Sequence, residues 1–143
     1  MSNKKIMVCL DGSKNSLRGL DQAILFAKQS DATILGVHSD TSFSAFSAVR
    51  APILPDKKWK KEAKTLMSVA KKKVEKNNIE FERVVIGGHS SGIDLTTFAN
   101  NPANKIGQIV IGSRGMGFPK ELFFGSTSNF VLHKAKAPVT IVK

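Results

Sequence analysis

The sequence predicts an α/β fold: a doubly wound, five-stranded parallel sheet in the order 3-2-1-4-5 with helices on both faces. Three observations carry this. Apolar runs of strand length alternate with segments whose apolar residues recur at helical spacing. The two most polar, glycine-rich strand ends follow the first and fourth strands; they meet only if those strands are neighbours, and the order 3-2-1-4-5 makes them so with the switch point between them. A length of 143 residues is one domain, 1–143, large enough to bury a core without disulfides or metal.

The elements follow in order. Lys5 to Leu10 is the first strand, and Asp11-Gly12-Ser13 is a turn whose serine is a helix cap. Leu17, Leu20, Ile24 and Ala27 mark the first helix. Thr33 to Val37 is the second strand. Asp40 to Pro55, rich in Ser, Ala and Phe, reads as loop or a short helix. Trp59, Ala63, Leu66, Met67, Ala70 and Val74 set a helix over Asp56 to Asn77. Phe81 to Ile86 is a strand, Ile93 to Ala99 a helix ending near Pro102, and Gln108 to Ile111 the fourth strand. A glycine-rich loop from Gly112 to Phe124 leads into a helix at Ser126 to Lys134. Val139 to Val142, introduced by Pro138, closes the sheet. Strand and crossover helix alternate throughout, which implies a parallel sheet covered on both faces.

The charge balance is basic, 22 Lys and Arg against 11 Asp and Glu. Nine of the lysines fall between Lys57 and Lys76, on the wet side of one amphipathic helix. They read as a solvated face. Nucleic acid is not the expected partner: Tyr is absent from the sequence, Phe43 and Phe46 are not interleaved with basic residues, and no zinc-finger spacing occurs. The single Cys9 excludes an internal disulfide and fits a reducing compartment. No apolar run approaches the roughly 20 residues of a membrane span. Met1 to Lys5 leads into a strand without a signal-peptide pattern, so a cytoplasmic location is expected.

Gly112, Gly115 and Gly125-Ser126 form a G-x2-G-x9-G-S pattern after an apolar strand. Glycine lets a backbone approach phosphate closely. Gly125-Ser126-Thr127 opens a helix, whose first N–H groups and dipole favour an anion. Ser113 and Arg114 fall within the same strand end, and the hydroxyls of Ser126, Thr127 and Ser128 add donors.

These residues resemble a known family. Val110-Ile111-Gly112-Ser113-Arg114-Gly115, Phe124 to Val131, and Ala137-Pro138-Val139-Thr140-Ile141-Val142 are similar to the closing third of universal stress proteins. Ile6 to Ser13 resembles that family's opening strand and turn. The resemblance implies an ATP-binding member of the adenine nucleotide alpha hydrolase-like fold, with the glycine pattern holding ribose and phosphates. It implies that Asp11, with Gly12 and Ser13, sits at the adenosine end, and that the backbone of Val37 and His38 lines the adenine pocket. AMP or ADP are alternative ligands, and Mg²⁺ or Mn²⁺ would arrive with the nucleotide. A homodimer through the C-terminal strand 138–142 is implied as well. Departures from the family pattern are Val37-His38 for His-Val, Gly87-Gly88-His89 for a Gly-x-Pro turn, and Gly107 for an Asp.

Gly88-His89-Ser90-Ser91-Gly92 matches the G-x-S-x-G elbow of α/β-hydrolases and lies between a strand and a helix. The later acids are Asp94 and Glu121 and the later histidine is His133, a poor set for a triad, so Ser90 reads as a helix cap. A Walker A loop and the dinucleotide fingerprint are absent from the sequence. His38, His89 and His133 lack metal-ligand spacing. The expected function is ATP binding as a sensor or regulator in stress response, without catalytic residues. The alternatives are a nucleotide-independent interaction protein acting through its dimer surface and basic helix, and a very slow ATPase.

Overall fold

The computed structural model describes residues 4–44, 53–114 and 125–143. The elements are β1 (Lys5–Cys9), α1 (Lys14–Ser30), β2 (Ile34–Ser44), α2 (Lys61–Glu75), β3 (Phe81–Gly88), α3 (Ser91–Asn100), β4 (Ile106–Gly112), α4 (Ser126–Lys134) and β5 (Val139–Val142). The strands pair in parallel in the order β3-β2-β1-β4-β5, the order read from the sequence. β1 is central, and the winding reverses between β1 and β4.

Strand alternation sorts the core onto two faces. Ile6, Val8 and Leu10 join Leu20, Ile24, Met67 and Val74 beneath α1 and α2. Met7 and Cys9 join Leu95, Phe98 and Val131 beneath α3 and α4. Met7, Leu20, Met67, Ile86 and Ile109 are fully buried. Each such side chain contributes about 1.5–3 kcal/mol relative to exposure.

Serines start two of the helices. The Ser16 amide donates to Ser13 Oγ at 3.1 Å, and Ser13 caps α1. α1 ends where Asp31 enters the left-handed region, φ 56°, and returns its amide to the Ala27 carbonyl at 2.7 Å.

Two boundaries differ from the sequence reading. β2 does not stop near Val37 but runs on to Ser44, paired with β3 through Asp40↔Gly87 and again at Ser44↔Gly88. The Ser-, Ala- and Phe-rich composition from Asp40 to Pro55 suggested loop; the long neighbouring strand β3 supplies a ladder that overrides it as far as Ser44. The lysine-rich helix is also shorter. Asp56–Lys58 is a 3₁₀ turn, Trp59 and Lys60 are extended, and the α-helix begins at Lys61. Trp59 breaks the helix because its ring is buried and its Nε1 donates to the Leu54 carbonyl at 3.0 Å. Arg83 lies 5.0 Å over that ring. Lys57, Lys58, Lys60, Lys61, Lys64, Lys71, Lys72 and Lys76 are exposed.

Candidate functional site

The carboxyl ends of β1, β2 and β4 open onto a cavity of about 310 Å³, closed by the starts of α3 and α4. This is where ligands bind in doubly wound sheets. Cys9, Leu10, Val37, Leu95 and Ile111 form its apolar part. Asp11 and Arg114 are the charged lining residues among those described.

The first turn is built around Gly12, whose φ of 85° lies in the left-handed region that side chains rarely adopt. That reversal lets the Ser13 amide donate to Asp11 Oδ1 at 2.9 Å. Asp11 and Ser13 line the cavity, and Gly12 does not. Leu10, just before the turn, is held twice. Its amide donates to the Val37 carbonyl at 2.8 Å, and its carbonyl accepts from His38 Nδ1 at 2.8 Å. The bond to a carbonyl requires Nδ1 to carry the proton. His38 thus braces β1 against β2 and does not line the cavity; strand alternation puts Val37, Ser39 and Thr41 there instead.

Gly112 lines the cavity at the end of β4. A Cβ there would lie 2.8 Å from Asn15 Cβ and 2.9 Å from the Asn15 carbonyl carbon. Its glycine is therefore demanded by the packing of α1 on β4. The sequence reading assigned it to phosphate approach and missed Asn15, which no motif marks. Ser113 is buried and does not line the cavity. Its amide donates to the Val142 carbonyl at 2.7 Å, its carbonyl accepts from the Gly125 amide at 2.6 Å, and its Oγ accepts from Asn15 Nδ2 at 3.2 Å. It is a structural junction between β5, α1 and the start of α4.

Gly125, Thr127 and Ser128 line the cavity, and Ser126 points to solvent. Ser128 Oγ donates to the Ser113 carbonyl at 2.7 Å and lies 3.1 Å from that of Gly125. Gly125 offers α4 no side-chain cap, and the first turn carries no acid. Ser13 and Ser90 satisfy first-turn amides of α1 and α3, and α2, which also lacks a side-chain cap, carries Glu62 in its first turn; α4 has neither a side-chain cap nor a first-turn acid, which favours an anion there. Gly115 of the glycine pattern and Glu121 lie outside the described residues.

Burial, and then the Asp11 carboxylate, push the Cys9 thiol up to about 12. The thiol is neutral at physiological pH and acts as part of the apolar wall. At Asp40 burial favours the acid form, but hydrogen bonds from Ser42 and the charges of Lys60 and His38 outweigh it and hold the carboxyl below its usual range. Lys60 Nζ lies 3.7 Å from that carboxylate, which ties the start of α2 to the long β2.

The G-x-S-x-G segment assembles no triad. Ser90 is the N-cap of α3, its Oγ 3.5 Å from the Ile93 amide. Asp94 is fully buried and engages His89, accepting from its amide at 3.1 Å with Nδ1 at 3.2 Å. That pair fixes the turn after β3, where Gly88 has φ 114°. Among the described residues, no three His, Cys, Asp or Glu side chains converge as a metal site, and no helix is long and apolar enough to cross a membrane.

The cavity therefore has two chemically distinct ends. Apolar and hydroxyl-bearing side chains of β1, β2 and α3 form one. Arg114, Thr127 and the open start of α4 form the other. Two strand spacings, roughly 10 Å, separate β2 from β4.

Comparison with known proteins agrees with this architecture. The model of the universal stress protein family matches residues 2–143. Universal stress protein YxiE of Bacillus subtilis is 29% identical over 149 residues, covering 97% of this chain and 98% of that protein. The structure of the universal stress protein from Archaeoglobus fulgidus in complex with dAMP superposes with a TM-score of 0.73 at 26% identity, covering 100% of both chains. An Arabidopsis thaliana universal stress protein family protein with AMP bound superposes at 0.68 with 18% identity, covering 98% of this chain and 91% of that one, a likeness of fold.

Proposed function

This chain belongs to the universal stress protein family, and from that premise we propose that it binds an adenine nucleotide, ATP by preference, and acts as a nucleotide-dependent sensor or regulator in stress response. One observation carries the reading. The uncapped start of α4, with Arg114 beside it, shares a cavity with an apolar wall contributed by β1, β2 and α3. A phosphate chain satisfies the first end through helix N–H groups and a cation. A base fits the second. Asp11, which also lines the cavity, is assigned to the ribose hydroxyls in this reading. The Archaeoglobus protein is described with dAMP and the Arabidopsis protein with AMP, which supports an adenine ligand.

Mg²⁺ or Mn²⁺ accompanies ATP through the phosphates in this reading, because Asp11 is the one carboxylate lining the cavity among the described residues. Hydrolysis would need a positioned water and charge stabilisation that grows in the transition state. In this reading Asp11 serves the ribose and does not orient a water, so the protein holds ATP and turns it over on the order of once per hour or slower, against ~10 per second for a typical enzyme.

β5 is an edge strand, and an unpaired edge invites another chain. An isologous dimer through residues 138–142 is part of the proposal. The function is tested by equilibrium titration with ATP, ADP and AMP. Saturable binding with ATP tightest supports it; no binding of any of the three at millimolar ligand overturns it.

A further inference from the structure

The buried hydroxyl of Ser39 has no use in the free protein. Its Oγ is shielded from solvent and has no hydrogen-bond partner. Buried polar groups are nearly always paired, and an orphan calls for an explanation. Leaving a buried hydroxyl unpaired forfeits its bond to water with nothing in return. Ser39 is also a wall residue of the cavity. It follows Val37 at the two-residue period of a strand, on the part of β2 that runs beyond the expected end. Val37 on the same strand and Leu95 and Ile111 from α3 and β4 line the cavity with it and are apolar, and no side chain or backbone group pairs with the hydroxyl.

We infer that Ser39 determines base specificity: its hydroxyl hydrogen-bonds the polar edge of the bound base. The inference rests on the nucleotide reading above and deepens it. The phosphates are drawn to Arg114 and α4, on the β4 side. The base is then left at the β2 side, against Val37 and Ser39. Ser39 changes staggered well by rotation about one bond, so the hydroxyl turns from its enclosed position toward the ligand. A hydroxyl both donates and accepts, so it pairs with a ring nitrogen or with an exocyclic amine. A wall built this way rejects a ligand that leaves the hydroxyl unpaired.

The test compares wild type with Ser39→Ala, titrated with ATP, with ribose 5-triphosphate, and with a series of ATP analogues each lacking one polar atom of the base. Ser39→Ala is expected to weaken ATP binding about threefold to tenfold. It should leave ribose 5-triphosphate binding unchanged, and one analogue should bind both proteins equally, identifying the contacted atom. Its melting temperature should stay level or rise, since the lost hydroxyl had no partner. Wild-type affinity for ATP in Ser39→Ala overturns the inference alone. So does an equal loss for ATP and ribose 5-triphosphate, or a marked fall in melting temperature. A wild-type protein that binds no ATP overturns the nucleotide reading itself.

Discussion

Gly125 donates its amide hydrogen to the carbonyl oxygen of Ser113 across 2.6 Å, closing the base of the glycine-rich loop. The same carbonyl accepts from the buried hydroxyl of Ser128 at 2.7 Å, while the Ser113 amide reaches Val142 at 2.7 Å. One residue thus fixes the start of α4 relative to β4 and to the edge strand. Ser128→Ala removes the second bond and leaves a buried carbonyl short of a donor. The expected cost is about 1–2 kcal/mol. For a domain of this size that lowers Tm by about 2–8 °C, read by thermal denaturation. Nucleotide affinity should fall with it, because the α4 amides lose their support. An unchanged Tm would show that the junction does not hold α4.

Gly112 and Asn15 are in closer contact than a side chain at 112 would tolerate. Gly112→Ala places a methyl group against Asn15 backbone and Cβ at 2.8–2.9 Å. The overpacking should cost about 1–3 kcal/mol. Chemical denaturation of the ligand-free protein measures it. A variant as stable as wild type that fails to bind nucleotide would return Gly112 to a role in phosphate approach alone.

Cys9 should be nearly inert. With its thiol pushed up to about 12 by burial and Asp11, little thiolate exists at pH 8. Alkylation of the native protein should run about a thousandfold slower than for a free cysteine. The neutral form dominates below the raised value, so reactivity climbs as pH rises toward it. Bound ATP should slow the reaction further, since Cys9 lines the cavity. Rapid alkylation at neutral pH, unaffected by saturating ATP, would contradict the placement of the ligand.

Deleting residues 138–143 removes β5, the sheet edge. Sedimentation should find the full chain dimeric at micromolar concentration and the shortened chain monomeric. A full chain that sediments as a monomer, or a shortened one that stays a dimer, removes the C-terminal strand from the assembly.

The sheet order was legible because strands and helices alternate and the two glycine-rich strand ends meet only when β1 and β4 are neighbours, as they are. The caps Ser13 and Ser90 were legible as local chemistry. The reach of β2 was not: Ser39, Thr41 and Ser42 carry turn-like composition, and only pairing with β3 makes that segment a strand. With the strand hidden, Ser39 and Thr41 were hidden as wall residues, although their period-two spacing after Val37 is visible once sought. The role of Gly112 was unreadable because its neighbour Asn15 lies 97 positions away in sequence and carries no motif. Asp94 was weighed as a triad acid; burial and its bonds to His89 make it a turn anchor. Thr127 lines the cavity where Ser126 does not, a matter of helix phase at the first turn that spacing alone leaves open.

The central claim is that ATP occupies the cavity at the carboxyl ends of β1, β2 and β4. An amide-resolved NMR titration of the labelled protein with ATP tests it most directly. Amides of Leu10, Asp11, Ser39, Arg114 and Thr127 should shift in saturable, concerted fashion. Those of Thr33, Asn78 and Gln108, around the hollow at the opposite ends of the strands, should hold still. Shifts centred on Thr33, Asn78 and Gln108, or no saturable shift at all, would contradict the account.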